Sequence, residues 1–309
     1  RRLFARVLET PGGMKIQTIH AFCQSILRRF PLEAGLAPHF DLLEGQDAKD
    51  LIKTAREFII TPAHTGDDDI LANALAVIVS RVHETDFPKL MLAISFARDK
   101  ITRVLSAHGS VNNATDALRA KLGLADSDTP EKVCSDACSD SAFDIKGLRD
   151  AAKALLTGTQ KDKEKGEALA SWLGSKNEER SASVGTYSLL YFTTKQTLRK
   201  TQANKDVAKT YPDAVKALDV EATRVGEVLD KLRAAQIAVS TQALLTLGHA
   251  FLAEYQARKT ALARLDYDDL IHSTRTLLEN PGVAAWVLFK LDGGLDHLLI
   301  DEAQDTSPD

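Results

Sequence analysis

Cysteine is scarce in this sequence, with Cys23, Cys134 and Cys138 the only three in 309 residues. So few thiols exclude a disulfide-stapled scaffold and fit a reducing cytoplasm. Cys134 and Cys138 would stand one helical turn apart, but no further His or Cys pair has zinc-site spacing, so they read as ordinary helix residues. No apolar run approaches the ~20 residues that cross a bilayer. Arg1-Arg2-Leu3-Phe4 has no long apolar segment or cleavage site after it, so no signal peptide is expected. A surplus of positive charge is missing too: 39 Lys and Arg face 43 Asp and Glu, for a formal net charge of −4. That excludes a protein coating nucleic acid by charge alone, and leaves room for a local basic groove. No segment repeats internally. What is present is a globular composition with length for one or two domains and a substantial core.

Residues 1–12 read as the end of a helix stopped by Pro11, Gly12 and Gly13. Residues 14–20, Met-Lys-Ile-Gln-Thr-Ile-His, alternate apolar and polar side chains as a short strand does. Thr18 then suits the N-cap of a helix over Ala21 to Arg29, which Pro31 ends. Small polar donors and helix-start amides at such a junction suit a phosphate group. A satisfied cap and a core histidine account for Thr18 and His20 equally well.

From about residue 45 to 260 the pattern is almost wholly helical. Residues 46–60 and 67–82 carry apolar side chains at three- and four-residue spacing, and Pro88 stands near the start of a helix running toward Gly109. Between residues 112 and 205, helical pieces alternate with polar breaks at 125–130 and 158–165. Lys161, Lys163 and Lys165, then Lys195, Arg199, Lys200 and Lys205, are the most basic places. They read either as solvated faces or as contacts to a DNA backbone. Val215, Leu218, Ala222, Val225, Leu229 and Leu232 form one apolar stripe, and Leu244, Leu247, Phe251 and Tyr255 continue a helical face. These are packing seams.

Two acidic strings carry chemistry. Asp266, Asp268 and Asp269 fall within four residues, which fits a metal site or, preferably, a helix start where carboxylates cap orphan amides. Leu298-Leu299-Ile300 followed by Asp301-Glu302-Ala303-Gln304-Asp305 reads as a buried strand ending at a polar edge. Ligands bind at that edge of a parallel α/β sheet. One carboxylate there can hold Mg²⁺ and its neighbour can deprotonate a water attacking a phosphoryl group.

Asp301-Glu302-Ala303-Gln304-Asp305 resembles motif II, the Walker B element, of UvrD/Rep-type superfamily 1 DNA helicases. Thr18-Ile19-His20-Ala21-Phe22 resembles their Thr-x-His-Ser/Ala-Phe motif beside single-stranded DNA, and Asp266-Tyr267-Asp268-Asp269-Leu270 the Asp-Phe/Tyr-x-Asp-Leu motif preceding motif II. All three occur in the order typical of the first motor domain. The runs around Glu9 to Gly13 and Phe30 to Gly35 are similar to the RecB-like subgroup, most closely the AddA subunit of bacterial helicase–nucleases.

The resemblance implies a mostly α fold with a partial α/β RecA-like core and a large helical insertion. Residues 1–40 and 256–309 would belong to the motor core and residues 41–255 to the insertion. It implies ATP and Mg²⁺ as cofactors, with Asp301 holding the Mg²⁺ and Glu302 as general base. Gln304 would sense the γ-phosphate and Asp305 would brace the loop. Thr18, His20 and Phe22 would contact DNA, and the partners would be single-stranded and duplex DNA and an AddB-like subunit, with no membrane. The implied role is ATP-driven translocation on single-stranded DNA during double-strand break repair and homologous recombination, in a bacterial cytoplasm beside the nucleoid. A general repair helicase without a nuclease, and a helical binding module with an accidental acidic strand, are the rival readings. The phosphate-cradling Gly-x-x-x-x-Gly-Lys-Ser/Thr loop does not occur. The chain is therefore expected to be an internal piece of a larger enzyme, inactive toward ATP alone.

Overall fold

The computed structural model describes residues 17–65 and 68–290. The chain divides into two compact units, residues 1–58 with 251–309, and residues 59–250.

Thr18 starts the first unit's first helix, α1 (Ile19–Arg29). Its backbone is extended and its hydroxyl accepts the amide of Ala21 at 3.3 Å, satisfying one donor that the helix start leaves open. The strand expected over 14–20 is corrected here: Ile19 and His20 are already helical, because this cap begins the helix earlier. Residues 14–16 lie outside the described residues. The helix ends as expected, with the Phe30 amide bonded to the Ile26 carbonyl and Pro31 next in line. Then come β1 (Asp41–Leu42) and α2 (Gly45–Thr65), which runs past the expected end at 60.

The second unit takes up the chain within α2. Its next helix, α3 (Asp69–Val79), is shorter than the expected 67–82: Asp68 caps its start, accepting from Ile70 and Leu71, and Ser80 caps its end. The helix expected from Pro88 to Gly109 is two, α4 (Phe87–Phe96) and α5 (Arg98–His108), separated at Ala97. Gly109 ends the second at φ +78°, a left-handed conformation that costs glycine nothing. Next are α6 (Val111–Lys121), α7 (Pro130–Ala137) and α8 (Ile145–Leu155). The break expected over 158–165 closes after Thr159. Thr159 and Asp162 form a capping box that launches α9 (Gln160–Gly174). Short helices α10 (Asn177–Ala182), α11 (Val184–Ser188) and α12 (Lys205–Thr210) lead to α13 (Pro212–Ala261), fifty residues without interruption.

The second unit's core is built on the predicted stripe. Leu218, Ala222 and Val225 of α13 pack with Leu148, Ala151 and Leu155 of α8 and Leu169 and Trp172 of α9. Gly166 makes the α8–α9 approach possible: a Cβ there would lie 2.8 Å from the Ala152 carbonyl oxygen. Trp172 stacks on Tyr187 at 3.7 Å, and the Tyr187 hydroxyl donates to buried Glu221 at 2.7 Å. Burial, reinforced by Glu221, pushes the Tyr187 phenol far up and keeps it a neutral donor.

The chain returns to the first unit inside α13. Ala263 turns left-handed, φ +50°, and leads into β2 (Arg264–Leu265). This strand pairs in parallel with β1, Asp41 opposite Arg264 and Leu42 opposite Leu265. Next are α14 (Tyr267–Glu279) and α15 (Ala284–Lys290). Cys23, Ile26, Leu27 and Phe30 of the N-terminal segment pack with Leu265, Leu270, Leu277 and Val287. The fold is therefore mostly helical. Among the described residues the named strands are two short parallel ones, so a full RecA-like sheet is not among them. The strand expected at 298–300 lies outside the described residues.

Candidate functional site

Two sequence motifs almost 250 positions apart meet at the start of α1. Thr18 and Ile19 are exposed there, and His20 is half-buried. The His20 ring lies 4.8 Å from the Tyr267 ring at 67°, an edge-on contact. Tyr267 is the first residue of α14, so the Thr-x-His turn and the Asp-Tyr-Asp-Asp-Leu string form one surface. The β1–β2 pairing and the shared apolar core hold them together. Phe22, half-buried, packs against that core, which is its evident structural role.

Tyr267 remains 44% exposed, and its hydroxyl donates to the Glu44 carboxylate. That bond, more than burial, raises the phenol's pKa above its ordinary value. The surface thus offers a cap hydroxyl, an imidazole and a phenol side by side. The Thr18 hydroxyl and the His20 imidazole are hydrogen-bonding groups that do not discriminate between bases, the kind that suits a phosphate–sugar backbone, while the Tyr267 hydroxyl is already engaged by Glu44.

The acidic string itself is a helix cap. Asp266 accepts the amide of Asp269 at 2.9 Å, and Asp269 accepts that of Asp266 at 3.0 Å. Both carboxylates also hold the Lys259 ammonium, at 2.7 and 2.5 Å, and that lysine is fully buried. Among the described residues no group of three or more His, Cys, Asp or Glu is placed to hold a metal ion. The capping expectation stands. Lys259 was missed, although the sequence carries a signal. It lies four residues after Tyr255 and eight after Phe251, on the buried face of α13. Glu44 has no such signal.

A family description, that of the UvrD/REP helicase N-terminal domain, matches residues 2–309. The chain belongs to this helicase family. No curated protein matches it. The family match spans both acidic strings and the Thr-x-His turn.

In this helicase-family chain Asp301, Glu302, Gln304 and Asp305 lie outside the described residues. The basic clusters differ in exposure. Lys161, Lys163, Lys195, Lys200 and Lys205 are exposed. Lys165 is not part of a free basic face, because its ammonium donates to the Gln202 carbonyl and side-chain oxygens at 2.9 and 2.8 Å. It also lies over the Tyr191 ring. Burial, with Arg199 acting the same way, pushes its pKa down to about 8. Burial also raises the thiol pKa of Cys134 and Cys138, which makes them poor thiolate ligands. No described helix is long and apolar enough to cross a membrane.

Proposed function

We propose that the chain is motor-domain sequence of an ATP-dependent DNA helicase, and that the α1–α14 junction contacts the backbone of single-stranded DNA. The observation that carries this reading is the meeting of the exposed Thr18 turn and half-buried His20 with Tyr267, within a chain that belongs to the helicase family. Thr18 and His20 would give hydrogen bonds to phosphate without choosing a base, as a motor stepping along any sequence needs. Phe22 would support them from the core. The first unit, with its parallel strand pair, would be part of a RecA-like motor core, and the second a helical insertion. ATP would be the fuel and Mg²⁺ would neutralise its phosphates. Asp301 would hold the ion, Glu302 would be the base, and Gln304 and Asp305 would sense the nucleotide and brace the loop.

Within the family we place the chain nearest the AddA-like helicase–nuclease subunits. It would act with an AddB-like partner in double-strand break repair and recombination. The resemblance at residues 9–13 and 30–35 supports that placement.

Replacing both Thr18 and His20 by Ala in the intact protein tests the DNA contact. Affinity for single strands of unrelated sequence should fall together. With about 1 kcal/mol for each net hydrogen bond, the fall should be roughly 10–30-fold. Nucleotide binding without DNA should stay unchanged. Unchanged DNA affinity with a large loss of thermal stability would assign both residues to capping and packing alone.

A further inference from the structure

The buried Lys259 has no part in the DNA contact itself. Lys259 sits in the last turns of α13, fully shielded from solvent. Its ammonium lies 4.7 Å from the centre of the Tyr255 ring and binds both Asp266 and Asp269. The same two carboxylates close the capping box that starts α14. A fully buried ammonium and the buried Asp269 carboxylate are costly to take out of water, even with the half-buried Asp266 beside them, and well-packed apolar side chains of similar volume often serve stability as well or better. What the ionic cluster adds is fixed position. Asp266 and Asp269 are each tied to the other's amide and to one ammonium, so the first turn of α14 has one arrangement. Tyr267 stands in that turn, directly after Asp266. Its ring bears edge-on against His20 and its hydroxyl reaches Glu44.

We propose that Lys259 is a positioning residue for the single-strand contact: by clamping Asp266 and Asp269 it fixes Tyr267, and Tyr267 holds the His20 ring in its DNA-binding orientation. The inference rests on the DNA reading above and deepens it. Lys259 itself touches no DNA. Its effect passes through the cap of α14.

The test uses the intact helicase and the single-stranded DNA concentration that half-maximally stimulates ATP hydrolysis. In Lys259→Met that concentration should rise roughly three- to tenfold, the effect of losing about one well-placed hydrogen bond. The rate at saturating DNA and the nucleotide affinity should stay near the unsubstituted values. Asp269→Asn, which keeps the size of the side chain and leaves Lys259 paired with Asp266, should shift the same quantity in the same direction. Adding Lys259→Met to the Thr18→Ala/His20→Ala background should produce little further rise, because both act on one contact.

A merely structural lysine would lower the maximal rate as folded enzyme is lost and leave the half-maximal DNA concentration alone. That result would overturn the proposal, as would effects that simply add. Should Lys259→Met fail to fold, Asp269→Asn decides: an unchanged DNA requirement overturns the proposal and a raised one supports it. If the Thr18→Ala/His20→Ala protein itself keeps its DNA requirement, the DNA reading fails, and this inference with it. A normal requirement in folded Lys259→Met beside a raised one in the double variant rejects only the role of Lys259.

Discussion

Glu302→Gln in the intact helicase should bind ATP almost normally and hydrolyse it roughly 10²–10⁴-fold more slowly. That is the usual contribution of a positioned general base. The substitution keeps the size of the side chain and its carbonyl oxygen, so a nucleotide already held by other groups loses little. It removes the carboxylate able to take a proton from the attacking water, and the amide has no basic lone pair to replace it. Asp301→Asn should behave differently, shifting the Mg²⁺ concentration needed for activity, if that carboxylate holds the ion as proposed. Nucleotide binding and single-turnover hydrolysis, measured on the same preparations, separate the two roles. Turnover near normal in Glu302→Gln would remove the residue from the base position.

Arg224→Met should destabilise the second unit by about 3–5 kcal/mol, the range for breaking a buried charge pair by removing one partner. Arg224 grips Glu221 through two nitrogens, at 2.7 and 2.6 Å, and donates to the Ala137 carbonyl at 2.8 Å. The Glu221 side chain is only 4% exposed. Without the guanidinium its charge would keep only the Tyr187 hydroxyl, since desolvation is no longer offset. Changing Glu221 to Leu as well should recover part of the loss, because no unpaired charge would then remain. Denaturant unfolding of both variants checks this. A loss below about 1 kcal/mol for Arg224→Met would mean that water reaches Glu221 and screens it.

Long periodic segments were the most legible part of the fold. The stripe from Val215 to Leu232 predicted a continuous helical seam, and Leu218, Ala222 and Val225 line the core of the second unit. Caps were legible where one side chain decides the geometry, as Thr18 does for α1 and Asp266 for α14. Boundaries failed where a cap competed with a pattern. The alternation over 14–20 looked like a strand, but Thr18 starts a helix inside it. The polar run from Gly158 to Lys165 looked like a break, but Thr159 and Asp162 close a capping box there. Polarity marks a loop only when no local donor–acceptor pair can start a helix.

The candidate site was legible as separate motifs and illegible as an arrangement. Nothing in the spacing of His20 and Tyr267 says that their rings touch, because the contact follows from α1 packing on α14 in a shared core of residues far apart in sequence. Lys165 shows the converse problem. Its place in a basic run suggested a solvated face or a DNA contact, yet its ammonium turns inward to Gln202. One-dimensional charge runs do not reveal which long side chains fold back over their own unit.

The central claim, that this chain belongs to a motor driven by ATP along single-stranded DNA, is tested most directly by phosphate release from the intact protein. The assay titrates single-stranded DNA of mixed sequence, with the Thr18→Ala/His20→Ala protein run alongside. Hydrolysis should rise steeply with DNA and saturate, and the double variant should need a higher DNA concentration to reach a similar plateau. ATP hydrolysis indifferent to single-stranded DNA in the unsubstituted protein would contradict the account.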